Sequence, residues 1–504
     1  MDKPTPTLDE VENAIRKLKD NKAPGLDLIQ VELIKKASPA FVECMYQLIK
    51  KIWTTETMPE DWNLSIICPI HKKGDTTICS NYREINLLCV PYTIFSNILF
   101  NRLLPYVETT TGDYQCGYRG EPSTVDQIFT VCQILEKCGE HGKDTYDSID
   151  KRSPYAVMEE LNIPEKLIAL VKATMNNTKC RVKIQNRLSE PITVKNGVRQ
   201  GDVLACLLFN TALKKVIRDA AVNIRGTIFY KSVQVLAYAD DIDIIGRTQA
   251  AMIEAVTSLE KAAKGMNLFT NQEETKYRPV TKNSHANYPH YLEAGPYKFL
   301  VVHSFTYLGS DIKCNNNIST EIQKHILAAN RCFQVLRKHL RSHLTSKNTK
   351  ILMYKVLSTP VLTYASETWT LSKINEWRLI LFERKVLPCI FGVKQENETW
   401  QKRYNYELYE KFNGPNIVTY IKVKRLAWAG HLVRMNNDKT IKKIFNTKLD
   451  GVRSGGRPKL QWEDVVDQDI RLLGVKNWKK VALNRDEWAK LPKKTRAHQG
   501  LSSQ

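Results

Sequence analysis

Two adjacent carboxylates, Asp240 and Asp241, sit between two largely apolar runs, Val233-Gln234-Val235-Leu236-Ala237-Tyr238-Ala239 and Ile242-Asp243-Ile244-Ile245. That pattern predicts two strands joined by a tight turn with the carboxylates at its tip. Most such pairs are solvated turn residues. Held rigidly together, however, they suit hard divalent cations, which take oxygen ligands and relieve the repulsion between neighbouring carboxylates. Joining phosphate esters to extend a nucleic acid uses two such ions about 4 Å apart. One ion activates a hydroxyl, and the other offsets the charge of the departing pyrophosphate.

About forty residues upstream, Gly197-Val198-Arg199-Gln200-Gly201-Asp202 precedes the apolar segment Val203 to Asn210. Glycine lets a backbone approach a ligand closely, and glutamine can hydrogen-bond a base or a sugar. As a lone loop this is a weak signal.

The surrounding elements must position these groups. Thr7-Leu8-Asp9-Glu10 has the form of a capping box, and Leu8, Val11, Ile15 and Leu18 recur at helical spacing, with Pro24-Gly25 ending the segment. A second helix is expected over Phe41 to Trp53 and a short strand over Ser65 to Ile70, followed by the polar turn Lys72-Lys73-Gly74-Asp75. Helical patterns follow at Ala250–Met266 and again through Ile322, Ile326, Leu327, Phe333, Leu336 and Leu340. Strands in the middle with helices on both sides predict an α+β core with a helical appendage.

The chain has 504 residues and a formal net charge of +22, from 75 Lys and Arg against 53 Asp and Glu. Residues 401–504 hold 23 basic and 10 acidic residues, so +13 of that excess lies in the last fifth. A field of this size attracts polyanions, and nucleic acid is the expected partner. The basic segments Lys422-Val423-Lys424-Arg425 and Lys479-Lys480 are candidate nucleic-acid contacts, while Trp428, Trp462, Trp478 and Trp488 read first as core residues of small helices. The twelve cysteines include no C-x-x-C spacing, which argues against a zinc knuckle. The opening residues lack a signal peptide's apolar core, and no apolar run reaches the length of a membrane helix. The expectation is an intracellular protein, in cytoplasm or nucleus, without a membrane partner.

Taken in order, the segments resemble the reverse transcriptases of non-LTR retrotransposons. Lys22-Ala23-Pro24-Gly25-Leu26-Asp27 is similar to that branch's lead-in to the fingers. Pro69 to Asp75 and Asn81-Tyr82-Arg83-Glu84-Ile85-Asn86-Leu87-Leu88 resemble its first fingers motifs. Gln115-Cys116-Gly117-Tyr118-Arg119 with Ser123-Thr124-Val125-Asp126-Gln127 resembles the next, and Gly197 to Asn210 the motif that contacts template and incoming nucleotide. Tyr238-Ala239-Asp240-Asp241 matches the metal-binding hairpin, and Tyr307-Leu308-Gly309 resembles the primer grip. Tyr364 to Trp369 and Gly456-Arg457-Pro458 with Trp462 are similar to segments after the palm.

The resemblance implies a right-hand polymerase. Its parts are an N-terminal helical extension (1–60), fingers and palm (61–300), a helical thumb-like region (301–400) and a basic, mostly helical C-terminal region (401–504). It implies RNA-directed DNA synthesis with an RNA template, a DNA primer, dNTPs and two Mg2+ or Mn2+ ions on Asp240 and Asp241. Lys72, Lys73 and Arg83 are expected at the triphosphate, Gln200 and Gly201 in the nucleotide pocket, and Arg119 and Arg199 on nucleic acid. Asp243 is expected to belong to its strand rather than to the metal site.

Three departures stand out. The family's first palm strand, with its leading metal-binding Asp, is reduced here to Tyr146-Asp147-Ser148-Ile149-Asp150, as if about a dozen residues near 139–150 were deleted. Asp144 or Asp147 is the candidate substitute ligand. Ala205-Cys206 replaces the usual Ser-Pro, and Glu274 stands where Lys is usual. No segment resembles the branch's endonuclease. A catalytically impaired copy is therefore expected, and a noncatalytic nucleic-acid-binding remnant is the alternative.

Overall fold

The computed structural model describes residues 3–72, 74–119, 123–141, 157–194, 199–222, 228–229, 233–266, 270–279, 289–313, 317–396, 398–447 and 461–497. The first helix, Leu8–Lys17, opens with the expected capping box. Thr7 Oγ1 accepts from the Glu10 amide at 3.3 Å, and the Glu10 carboxylate accepts from the Thr7 amide at 2.8 Å. The helix ends at Lys17, ahead of Pro24-Gly25. The second expected helix spans Pro39–Thr55. These N-terminal helices do not stand apart. Val11, Ile15, Ile49 and Trp53 share one core with Phe95 and Leu99 of the helix Val90–Thr110 and with Leu204 and Leu207.

The finger strand Leu64–His71 pairs antiparallel with Tyr82–Leu87 and parallel with Lys179–Ile184. Parallel neighbours need a long crossover. Here the described part of the connection holds the strand Tyr82–Leu87 and the helices Val90–Thr110, Thr124–His141 and Glu165–Met175. Strand Tyr82–Leu87 lies at the end of the sheet path and so keeps one edge outside the strand pairing.

The two apolar runs form the hairpin Val233–Tyr238 and Asp241–Gly246, with Tyr238 opposite Asp241 and Val233 opposite Gly246. Strand side chains alternate between faces. Val233, Val235, Ala237, Ile242 and Ile244 face one way and join a core with the helices Val203–Asp219 and Gln249–Lys264. Leu236 and Ile245 face the other way, against Ile128, Val131 and Leu135 of the helix Thr124–His141.

Tyr307 to Gly309 forms the turn of a further hairpin, Ser304–Tyr307 with Ser310–Lys313. Leu308 (φ 47°) and Gly309 (φ 84°) are both left-handed there. The helix Ser319–Arg341 follows, burying Ile322, Phe333, Leu336 and Leu340, while Leu327, expected on that apolar face, is exposed. Beyond residue 400, the helix Ile417–Arg434 packs in a core with Trp462, Trp478 and Trp488, which are 1%, 6% and 2% exposed. Trp428 packs against the same core. Phe129 of the Thr124–His141 helix belongs to it too, so palm and C-terminal region share a packed seam. Among the described residues no helix is long and apolar enough to cross a membrane.

Candidate active site

Asp240 and Asp241, both half-buried, form the tip of their hairpin. Ala239, immediately before them, has φ 56°, a conformation that costs an L residue energy unless its surroundings hold it there. The Gln115 carboxamide does so. Its oxygen accepts from the Ala239 amide at 3.0 Å and from the Gly117 amide at 2.7 Å, and its nitrogen donates to the Ala239 carbonyl at 3.2 Å. Gly117 lies so close to the tip that a Cβ there would fall 2.1 Å from the Ala239 nitrogen. The Asn210 amide nitrogen in turn donates to the Gly117 carbonyl at 3.2 Å, tying the Val203–Asp219 helix to the same point.

The outer edge of Val233–Tyr238 is taken by the segment around Gln115. Cys116 donates to the Ala237 carbonyl at 2.8 Å, and Ala237 donates to Tyr114 at 2.6 Å. The Gln127 side chain adds bonds to both the Tyr114 and Ala237 carbonyls. The hairpin tip is therefore fixed by buried hydrogen bonds from one short segment of chain.

Arg83 lies exposed on the finger strand opposite Ile70, and Lys72 follows that hairpin's other strand, its amide bonded to the Asn81 carbonyl. The exposed Tyr118 phenol lies within electrostatic reach of both Asp240 and Arg83. Its pKa is raised first by burial, then by Cys206, Asp240 and Tyr238, while Arg83 draws it down. Gln200 is exposed, and its carbonyl accepts from the Asn86 amide at 3.0 Å. Gly201 (φ 115°) sits where a Cβ would meet the Asn86 carbonyl at 3.1 Å. The Arg199–Asp202 loop thus docks on the free edge of the finger strand, three residues from Arg83. Cys206 is half-buried in the first turn of the helix that follows, and Glu274 is exposed. Lys73, Asp144 and Asp147, with the expected deletion from residue 142 onward, fall outside the described residues.

Several expected contacts are corrected. Arg199 does not face solvent; it is 4% exposed. Its guanidinium donates to the Trp62 and Thr174 carbonyls at 3.1 Å each, lies 4.2 Å over the Tyr92 ring, and is 3.8 Å from Asp202. Asp202 caps the helix by accepting from the Leu204 amide and also accepts from the Tyr92 hydroxyl; burial raises its pKa. This buried group ties the finger residue Trp62 to Thr174 and Asp202, with both Arg199 Nη atoms spent on backbone carbonyls and Nε left without a partner. Arg425 is fully buried against Asp469 and the Trp369 carbonyl, and Lys422 is buried 3.1 Å from Glu376. Both lie on the inner side of the Ile417–Arg434 helix, where cations unable to reach water need internal carboxylates. Lys424 pairs with Glu367 at 2.8 Å while staying partly exposed. Lys479 pairs with Glu463, and Lys480 is exposed. Arg119 is half-buried and donates to the Gly112 and Gln115 carbonyls at 3.3 Å.

Asp243 does belong to its strand. It is 0% exposed opposite Leu236, and neither carboxylate oxygen takes a hydrogen bond. Among the described residues no group of three or more His, Cys, Asp and Glu side chains converges to hold a metal ion. Asp240 and Asp241 are two hard oxygen donors of the right kind, so they fit part of a divalent site's ligand set.

Gln115, Gly117, Tyr118 and Asn210 lie within the quoted motifs, yet their structural roles were not read from them. The one signal was the Gln-Cys-Gly-Tyr-Arg grouping itself, since glycine between polar residues marks a close backbone approach.

Comparison with known proteins agrees with this geometry. Residues 70–312 match the family described as reverse transcriptase (RNA-dependent DNA polymerase). The RNA-directed DNA polymerase from mobile element jockey of Drosophila melanogaster is 23% identical over 415 residues, covering 77% of this chain and 44% of that one. A putative uncharacterized transposon-derived protein of Caenorhabditis elegans is 25% identical over 268 residues, 50% of this chain and 92% of its own. The Pol polyprotein from type-1 retrotransposable element R2 of Popillia japonica is 24% identical over 247 residues, 46% of this chain and 34% of its own. This chain thus spans less than half the length of its jockey and R2 relatives. The hairpin, its clamp and the finger strand Tyr82–Leu87 fall inside the matched span, while Leu64–His71 lies mostly ahead of it; over residues 70–312 the chain carries a reverse transcriptase domain similar to those of non-LTR retrotransposon polymerases.

Proposed function

We propose that this chain is the polymerase part of a non-LTR retrotransposon reverse transcriptase, extending a DNA primer on an RNA template from dNTPs inside the cell. The observation that carries this reading is the Asp240–Asp241 tip, fixed at Ala239 by the Gln115 carboxamide. Asp240 and Asp241 would hold divalent magnesium or manganese, which supplies Lewis acidity at the attacking hydroxyl and the departing pyrophosphate. Lys72 and Arg83 offer cations for the triphosphate, where charge develops during transfer. The exposed Gln200, docked on the finger edge at Asn86, would meet the sugar or base. Gly117 leaves no room for a side chain to push the tip away.

A second reading, a noncatalytic binding protein of the same ancestry, is favoured by one observation. The described carboxylates at the tip number two, and the family's further carboxylate has Asp144, Asp147 or Asp150 as its candidate counterpart. Magnesium-dependent extension of a DNA primer on an RNA template separates the two. Extension by the purified chain, abolished by Asp240→Ala with Asp241→Ala, supports the polymerase. Salt-sensitive binding of primer–template with no extension supports the remnant.

A further inference from the structure

A cleft of about 450 Å3 lies at the seam between the palm and the C-terminal helices. Cys116 and Gln127 line it from the palm side, and both donate to the Ala237 carbonyl of the hairpin, at 2.8 and 3.1 Å. Leu236, Met435 and Ile441 give it apolar wall. A cleft of this size with apolar walls and a few convergent polar groups has the make-up of a small-ligand site.

Its charges are arranged rather than scattered. Asp113, Arg119, Asp126 and Lys439 all act on the Cys116 thiol, whose pKa burial, above all, pushes up to about 12. All four line the cleft. Lys439 lies 3.3 Å from Asp113, and these two offset each other. That leaves the Arg119 and Arg434 guanidiniums against one carboxylate. Each guanidinium uses Nη1 on backbone carbonyls, Arg434 on Ala482 at 2.7 Å, and carries further N–H donors. Asp126 is 5% exposed; one oxygen accepts from the Ser123 amide at 2.7 Å, and the other, Oδ1, accepts nothing. A buried acceptor without a donor is costly, and an incoming N–H would satisfy it.

A molecule that meets all three features carries an anion for the guanidiniums, a flat apolar body for the walls and an N–H for Asp126. We propose that this cleft binds a nucleoside phosphate, free or as an unpaired nucleotide of a strand, separately from the Asp240–Asp241 tip. Phosphate matches the bidentate fork of arginine, and a base edge supplies the donor. Because its wall is bonded to Ala237, two residues before the Ala239 clamp, occupancy also braces the hairpin from behind.

The test uses the full chain and two photoprobes, 8-azidoadenosine monophosphate and a short RNA containing one 8-azidoadenosine, with cross-linked peptides mapped by mass spectrometry. Saturable labelling of the peptides that hold Arg119 and Met435 is expected. Labelling by both probes assigns a free nucleotide, and labelling by the RNA alone assigns a strand nucleotide. Arg434→Glu with Lys439→Glu should lower labelling at least about tenfold, as loss of charge-assisted contacts to phosphate predicts. Asn436→Trp, at an exposed lining position, should block it while leaving the buried charges in place. Asp240→Ala with Asp241→Ala should leave it intact, so this inference and the polymerase reading fail independently. No label on those peptides, equal competition by polyglutamate, or full labelling of Asn436→Trp would overturn it.

Discussion

Gln115 and Ala239, 124 residues apart in the chain, are joined by both polar groups of one carboxamide, which accepts from the Ala239 amide and donates to its carbonyl. The residue before the Asp240–Asp241 pair is thereby held in a left-handed conformation that alanine disfavours. Gln115→Met keeps the side chain's volume and removes three hydrogen bonds, leaving buried backbone groups unpaired. A cost of about 2–4 kcal/mol at the tip is expected. Primer extension should fall at least tenfold while salt-dependent binding of primer–template is unchanged. Equal activity in wild type and Gln115→Met would show that the clamp does not position the carboxylates.

Gly117→Ala tests the same place by excess rather than loss. The added Cβ would sit 2.1 Å from the Ala239 nitrogen, with backbone as the obstacle, so the hairpin or the Gln115 segment must shift. Overpacking of this sort costs about 1–3 kcal/mol or more. A lowered melting temperature together with lost extension is expected. Gly414→Ala, where the nearest neighbour is a side-chain atom at 3.3 Å, should leave both close to wild type.

How far the sequence reveals this arrangement depends on the range of the interactions. The Thr7–Glu10 capping box and the strands flanking Asp240-Asp241 are local, and their patterns read directly. Trp462, Trp478 and Trp488 sit in the core, as their place in short helical patterns predicts, and Trp428 packs half-buried against them. Arg199, Lys422 and Arg425 were misread because a cation's burial is decided by elements far along the chain: Trp62 and Thr174 for Arg199, Glu376 for Lys422, Asp469 for Arg425. Charge composition counts such residues as surface. Gln115's grip on Ala239 is invisible for the same reason, since nothing near Gln115 in sequence states that the hairpin will lie beside it.

The buried and exposed cations should separate in salt titrations. Arg199→Met strands Asp202, which burial already disfavours in its charged form, and breaking such a buried group costs about 3–5 kcal/mol. Melting should drop while the slope of log binding constant against log salt stays fixed. Lys480→Ala should do the opposite, keeping stability and reducing that slope by about 1. A reduced slope in Arg199→Met would return that residue to the nucleic-acid surface.

The buried Glu383 and the half-buried His325 make the helical region after the palm sensitive to pH in the same direction. Glu383, 1% exposed, accepts from Tyr354, Tyr409 and the Ile417 amide, yet burial pushes its pKa up to about 7 from 4.5. The folded state then holds its proton more tightly than the unfolded one, so stability falls as pH rises from about 4.5 to 7. The loss is on the order of 3 kcal/mol. His325 places one ring nitrogen 2.8 Å from the Val361 carbonyl and the other 2.8 Å from Glu321. Burial opposes its charge, but these bonds outweigh it and raise its pKa. Its contribution is full below pH 6.5 and is lost as pH climbs through the raised value. Glu383→Gln should flatten the melting profile between pH 5 and 7, and His325→Gln the part above 6.5. An unchanged slope in both variants would assign the pH dependence elsewhere.

One ammonium group gathers three backbone carbonyls at the seam between palm and C-terminal region. Lys137, on the helix Thr124–His141, donates to the Ile444, Phe445 and Thr447 carbonyls, the last at 2.6 Å. These lie at the C-terminal end of the helix Thr440–Asn446, whose final carbonyls have no partner within their own helix. A cation there also meets the negative end of the helix dipole. Beside it, Glu136 accepts from the Trp462 amide at 3.2 Å, and Phe129 packs edge-on to Trp428 and Trp462 at 4.4 and 4.9 Å between ring centres. The aromatic contacts are nondirectional enough to survive small shifts, whereas the three carbonyls depend on Lys137 alone among these residues. Lys137→Met keeps the stem and removes the charge. Faster amide exchange over 440–447 is expected, by about two orders of magnitude for a loss of roughly 3 kcal/mol. Exchange within the Asp240–Asp241 hairpin should stay slow, because its own clamp is intact. Uniform acceleration across both would mean that palm and C-terminal region unfold as one unit, and the seam would then support the hairpin itself.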